Sequence, residues 1–191
     1  MKNAKVYVMT FCGIAVAMNI VLGIMTSALK LPFYLDTLGT VLTAVLIGPL
    51  PGVIVGALTN IITGFLYSIQ DIPFLLVNVA VALVTGFMAK KFKYTLVTAI
   101  ACGLILSVVC PLIGTPIGIF IYGGLTGTVS DVIVLALKSS GSSIFAASFI
   151  AKIGNNLLDK VGTCLIVYAM IKYLPVNMKN TLRTYSVKTN K

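Results

Sequence analysis

The sequence predicts an all-α integral membrane protein: a six-transmembrane-helix bundle with both termini cytoplasmic and a capping segment between the fifth and sixth helices. Three observations carry this expectation. The 191 residues are 59% hydrophobic and 9% charged, with a mean hydropathy of +1.08, whereas a soluble domain is about 45–50% apolar and about 25% charged. A globule of this size could not cover such a core with 14 basic and 4 acidic side chains. The apolar residues gather in runs of transmembrane length, and the basic residues gather between alternate runs.

A transmembrane helix needs about 20 largely apolar residues, with a range of about 17–25. Residues 7–28 form the first such run. Lys2 and Lys5 ahead of it resemble the start of a signal peptide, but the run exceeds the about 7–15 residues of a signal's apolar core, so it reads as a span. Residues 35–46 form a short second run, followed by Gly48-Pro49-Leu50-Pro51-Gly52. The third covers residues 53–67, the fourth 72–89, the fifth 95–122 and the sixth 145–173. Residues 123–145 mix Gly, Ser and Thr around an apolar stretch at 132–137. They read as a re-entrant or interfacial cap, because irregular backbone at membrane depth must be covered by protein, with a seventh span as the alternative. One membrane domain over residues 1–175 and a basic cytoplasmic tail over 176–191 follow.

With six spans the termini share a side. That side collects Lys2, Lys5, Lys90, Lys91, Lys93, Lys172, Lys179, Arg183, Lys188 and Lys191, while the opposite loops hold only Lys30 and Lys138. Basic residues favour the cytoplasmic side, which puts both termini inside. The net charge of +10 is then a topology signal, with contact to anionic lipid near the C-terminus, and not a sign of nucleic-acid binding.

Several function classes fall away. The sequence has no His and no Glu, and its carboxylates are Asp36, Asp71, Asp131 and Asp159. That inventory argues against imidazole catalysis and against a zinc or two-metal site, and no cofactor is expected. No GxxxxGK[ST] string occurs, so the chain is not itself an ATPase. Cys12, Cys102, Cys110 and Cys164 lie inside apolar runs and read as small packing residues.

Two helix faces stand out. In the third span Gly52, Gly56, Asn60 and Gly64 recur every four residues, and Gly13–Ala17 makes a weaker small-residue pair in the first. Such stripes let membrane helices approach closely, within the bundle or against a separate membrane subunit. In the sixth span Lys152, Asn155, Asn156, Asp159 and Lys160 share one face. Ionisable groups in a span are costly and usually face the bundle interior or a water-filled cavity. This face reads as substrate-binding, with Asp159 and Lys160 the deeper and more structural members. Asn78, about two turns into the fourth span, Tyr67 and Gln70 at the end of the third, Tyr34 in the first outer loop and Tyr122 at the end of the fifth could complete an outward cavity for a small polar molecule.

Taken together, these residues resemble the substrate-binding S component of an energy-coupling factor (ECF) vitamin transporter. The resemblance covers about residues 7–175. It rests on Asn19-Ile20-Val21-Leu22-Gly23, Leu35-Asp36-Thr37-Leu38-Gly39-Thr40, Gly48-Pro49 leading into Gly52, Gly56 and Asn60, and Asp159-Lys160 followed by Ile171-Lys172-Tyr173-Leu174-Pro175. It implies capture of a water-soluble vitamin or related micronutrient outside a prokaryotic plasma membrane. It also implies partnership with a membrane coupling subunit and two cytoplasmic ATPases, and toppling in the membrane to release the load. The family's first helix presents an AxxxA-type stripe to the coupling subunit; here Gly13–Ala17 takes that place, with Gly52 and Gly56 as a second docking candidate. The resemblance further implies that outer loops and the last three spans hold substrate, with the first outer loop, residues 30–36, as a lid. Riboflavin, pantothenate, a corrinoid, a pyrimidine and a queuosine precursor all fit the residues. A stand-alone ion-coupled transporter would need paired midplane carboxylates or an inverted repeat. A non-transporting sensor module would use the polar face only to join helices. An intramembrane enzyme would have to rest on Ser148 and Lys152.

Overall fold

The computed structural model describes residues 2–29, 31, 33–125 and 130–189. It is all-helical, without strands among the described residues. Helix α1 spans Lys2–Ala28, α2 Leu38–Leu46, α3 Pro49–Leu66, α4 Leu75–Lys91 and α5 Leu96–Tyr122. A 3-10 turn, Ile69–Phe74, leads into α4. Helix α6 covers Ser130–Ser139, α7 Ile144–Tyr173 and α8 Val176–Thr189.

Among the described residues, four segments are long and apolar enough to cross a membrane: Lys5–Ala28, Pro49–Leu66, Ile69–Lys91 and Leu96–Tyr122. A fifth forms if α7 and the start of α8, bent by 113°, count as one broken span. The run expected to be a second full span is α2, nine residues long. At about 1.5 Å per residue it reaches less than half of a hydrocarbon core about 30 Å thick. Eight of its nine residues are buried, so α2 is an internal half-length helix walled by α1, α3 and α4.

Close packing here relies on missing side chains. A Cβ on Gly52 would lie 2.7 Å from the Ala44 Cβ, and one on Gly56 3.1 Å from the Asn78 Cβ. The stripe on α3 therefore faces α2 and α4 within the chain. Of the two readings open for Gly52 and Gly56, close approach within the bundle or docking of a separate subunit, these contacts support the first: both glycines are buried. Gly103 does the same for α5, where a Cβ would stand 2.5 Å from the Val161 Cα of α7. The α5–α7 interface is the most extensive in the bundle.

The capping segment contains α6, which packs on α7 through Val134, Ala147 and Ala151. Ten residues are too few to cross the bilayer; residues 126–129 of that segment lie outside the described part. The expected tail is helical, and Leu182 of α8 is fully buried. Residues 190 and 191 lie outside the described part.

Candidate functional site

The polar face of α7 meets the loop that joins α1 to α2. Asp159 is buried, and its Oδ1 accepts from the backbone N–H groups of Tyr34, at 2.9 Å, and Leu35, at 2.8 Å. Its Oδ2 lies 2.6 Å from Lys160 Nζ. Lys160, also buried, donates to Thr37 Oγ1 at 3.0 Å and stands 3.9 Å from Asp36 Oδ1. Leu35 has φ 51°, a left-handed conformation uncommon for a leucine; it turns two consecutive N–H groups onto one carboxylate. Thr26 Oγ1 holds the Tyr34 carbonyl at 2.7 Å, and the Tyr34 side chain hydrogen-bonds to Asn155. A loop without regular structure is thus fixed at both backbone and side chain. Lys30 and Pro32 of the expected lid lie outside the described residues.

A second polar cluster joins four helices. Asn19 of α1 donates to Thr40 Oγ1 at 2.9 Å and Thr59 Oγ1 at 3.1 Å, and accepts from the Gly39 N–H at 2.6 Å. Thr40 donates to Asn78 Oδ1 at 3.1 Å, and Asn78 donates to Asn60 Oδ1 at 2.5 Å. Each member is both held and oriented by the next, as a buried amide must be.

Between these clusters lies a cavity of about 740 Å³, within the about 300–1,000 Å³ common for ligand pockets. Its polar wall includes Lys152, Asn156, Lys160, Asp36, Asn60 and Asn78, and its aromatic wall Tyr34, Tyr67, Phe74 and Tyr122. Lys152 Nζ donates to the Gly114 carbonyl at 3.4 Å, in the half of α5 that carries Pro111 and Pro116. Each proline removes a backbone donor, which deprives the Ser107 and Leu112 carbonyls of their usual helical partners. Asn156 Nδ2 donates to the Lys152 carbonyl at 2.9 Å. At the mouth, Tyr122 donates to Asp71 Oδ1 at 2.8 Å. The buried Oδ1 of Asp36 has no hydrogen-bond partner among the described residues. The cavity can therefore offer a solute an ammonium, amides of both polarities, a carboxylate oxygen and aromatic faces.

Residues 3–172 match the family model described as ECF-type riboflavin transporter, S component. The chain belongs to this family. No curated protein matches it, and no solved structure does. The match covers nearly the stretch over which the residues themselves carry the resemblance. As an S component the chain is a multi-pass membrane protein of vitamin uptake, the substrate-binding subunit of a transporter and not a member of an enzyme family.

Within this S component the expected site residues divide. Lys152, Asn156, Asn78, Tyr67, Tyr34 and Tyr122 line one cavity. Three others do not. Asp159 faces Lys160 and the loop backbone, Asn155 reaches Tyr34, and Gln70 is exposed on the 3-10 turn. Asn19 and Asn60 line the cavity without having been singled out for it, and Lys160, expected to be a deeper and more structural member of the α7 face, lines it as well. A lone amide in an apolar run was the available signal for Asn19, because such a group needs a partner inside the membrane. On α1, Gly13 and Ala17 are exposed, and nothing lies within 4 Å of a Cβ built on Gly13.

Proposed function

We propose that this S component captures riboflavin, or a flavin close to it, from outside the cell and delivers it through a coupling subunit and two ATPases. The observation that carries the reading is the cavity, whose walls pair amides and an ammonium with aromatic faces. A flavin has a flat tricyclic ring with an edge of alternating carbonyl and N–H groups, plus a polyhydroxyl chain. Asn60, Asn78, Asn156 and Lys152 offer complementary donors and acceptors for such an edge, and the Asp36 carboxylate, whose side chain is part exposed, an acceptor for a hydroxyl or N–H. Tyr34, Tyr67, Phe74 and Tyr122 offer surfaces for the ring. The substrate named by the family description supports the same choice.

Orientation follows from charge. The end away from the cavity carries Lys90, Lys91, Lys93, Lys172 and Lys179, so that end is cytoplasmic and the cavity opens outward in a prokaryotic plasma membrane. Six passes then result, the second made by α2 together with the irregular residues 33–37 before it. The exposed Gly13–Ala17 stripe is the docking surface for the coupling subunit. Ion coupling by this chain alone lacks a free midplane carboxylate, since Asp159 is already matched by Lys160 and two backbone donors.

The test is direct. Purified protein, denatured and its small molecules weighed by mass spectrometry, should release a flavin. Stripped protein should quench the fluorescence of added riboflavin, saturating at one flavin per chain. A panel in which riboflavin neither binds nor stabilises the protein, while another vitamin does, would replace the ligand and keep the site.

A further inference from the structure

The end of the bundle opposite the cavity holds a second recess, of about 470 Å³, with Tyr94, Tyr168, Lys172, Lys179 and Asn180 in its walls. It forms where the chain turns through 113° between α7 and α8. The turn is fixed by packing: Leu182 is fully buried, Met178 packs on the main core, and Lys179 Nζ donates to the Ile171 carbonyl at 3.1 Å. Helix α8 therefore lies across the end of the bundle and closes one side of the recess.

Its charge is one-sided. The carboxylates of the sequence are Asp36, Asp71, Asp131 and Asp159, and none of them lines this recess. Lys90, Lys91 and Lys93 lie just ahead of Tyr94 in the chain, adding to the same field. Two ammonium groups and an amide thus border a concave surface without a carboxylate, which selects an anion. Tyrosines at such a level mark the membrane–water interface. The chain neighbours Phe92 and Tyr173, and Val176 of α8, are exposed apolar groups against which acyl chains can lie.

We propose that this recess binds the phosphate-bearing headgroup of an anionic phospholipid, with Lys172 and Lys179 as the countercharge and α8 as its interfacial wall. A basic side chain in contact with the headgroup changes affinity for anionic lipid by about fivefold, while one outside the recess acts only at a distance, through salt-screened attraction.

Native mass spectrometry of the full chain, released from nanodiscs of mixed phosphatidylglycerol and phosphatidylcholine, tests this without any flavin. The wild type should retain phosphatidylglycerol in preference. Lys172→Gln, which leaves the Lys179 contact intact, should lower retention by about fivefold, and the double change with Lys179→Gln by about twenty-five-fold. Lys91→Gln, at the same end but outside the recess, should change retention by less than about twofold. Equal losses for Lys91→Gln would mean diffuse surface attraction and overturn the site. So would the absence of a lipid preference. Displacement of the lipid by millimolar inorganic phosphate would overturn the lipid and leave a soluble phosphate as the ligand.

Discussion

The two halves of the polar face of α7 carry similar chemistry and use it differently. Asp159 and Lys160 neutralise each other at 2.6 Å, and their remaining capacity goes to Tyr34, Leu35 and Thr37. Two turns earlier, Lys152 donates at 3.4 Å to a carbonyl of α5 and feels the charge of Asp131, and one turn earlier Asn156 donates to the Lys152 carbonyl of its own helix. The deeper pair is matched within the protein and holds a loop, although Lys160 also reaches the cavity wall; the shallower pair borders the cavity and has capacity left for a solute. Depth alone does not explain this. The difference is made by the α1–α2 loop, which covers one half and not the other.

Removing one partner of the closed half should have the largest effect. Asp159→Ala leaves a buried ammonium without its counter-ion and frees two backbone donors, so it should cost about 3–5 kcal/mol. Thermal unfolding of the ligand-free protein in detergent checks it. Replacing Asp159 and Lys160 together by apolar residues should recover a large part of that loss, since no lone charge remains. If the double change is as damaging as the single, the pair is not the unit argued here.

The open half should respond in binding and not in folding. Lys152→Ala and Asn156→Ala should each weaken flavin binding by about tenfold or more, the consequence of losing about 1.5–3 kcal/mol of hydrogen bonding. Their ligand-free unfolding should shift by less than about 1 kcal/mol. Equal effects on both halves in either assay would erase the distinction.

The glycine stripes sharpen the contrast in the same way. Gly56→Leu must displace Asn78 and Thr40 and should destabilise the isolated protein by about 1–3 kcal/mol. Gly13→Leu enters open space, so it should leave stability and flavin binding unchanged and block assembly with a coupling subunit in pull-down. The smallest effect is expected for Gln70→Ala, exposed and away from the cavity, within about 0.5 kcal/mol in stability and without change in binding.

Much of this was legible in the residues. The four long apolar segments and the face of α7 follow from hydropathy and helical spacing, because the bilayer imposes length and penalises stray charge. What periodicity could not supply was direction. Spacing alone put Gly52 and Gly56 on one stripe, but the partners filling that stripe are α4 and α2, the latter a nine-residue helix within the apolar run 35–46. The role of Asp159 depends on two backbone N–H groups more than 120 residues away, and backbone donors leave no mark in a sequence. Asn19 entered the sequence reading only as part of a string shared with the family, and its role is set by Thr40 and Thr59, which close around it. Helix α8 is polar on average, and the burial of Leu182 beneath the bundle is a tertiary fact.

A riboflavin titration of wild-type and Lys152→Ala protein, followed by quenching of flavin fluorescence with unfolding measured on the same samples, bears on the account most directly. Saturation at one flavin per wild-type chain, with affinity lowered by about tenfold in the variant and folding intact, is the expected result. Undiminished affinity in a folded Lys152→Ala protein would contradict the assignment of the open half of α7 to the ligand.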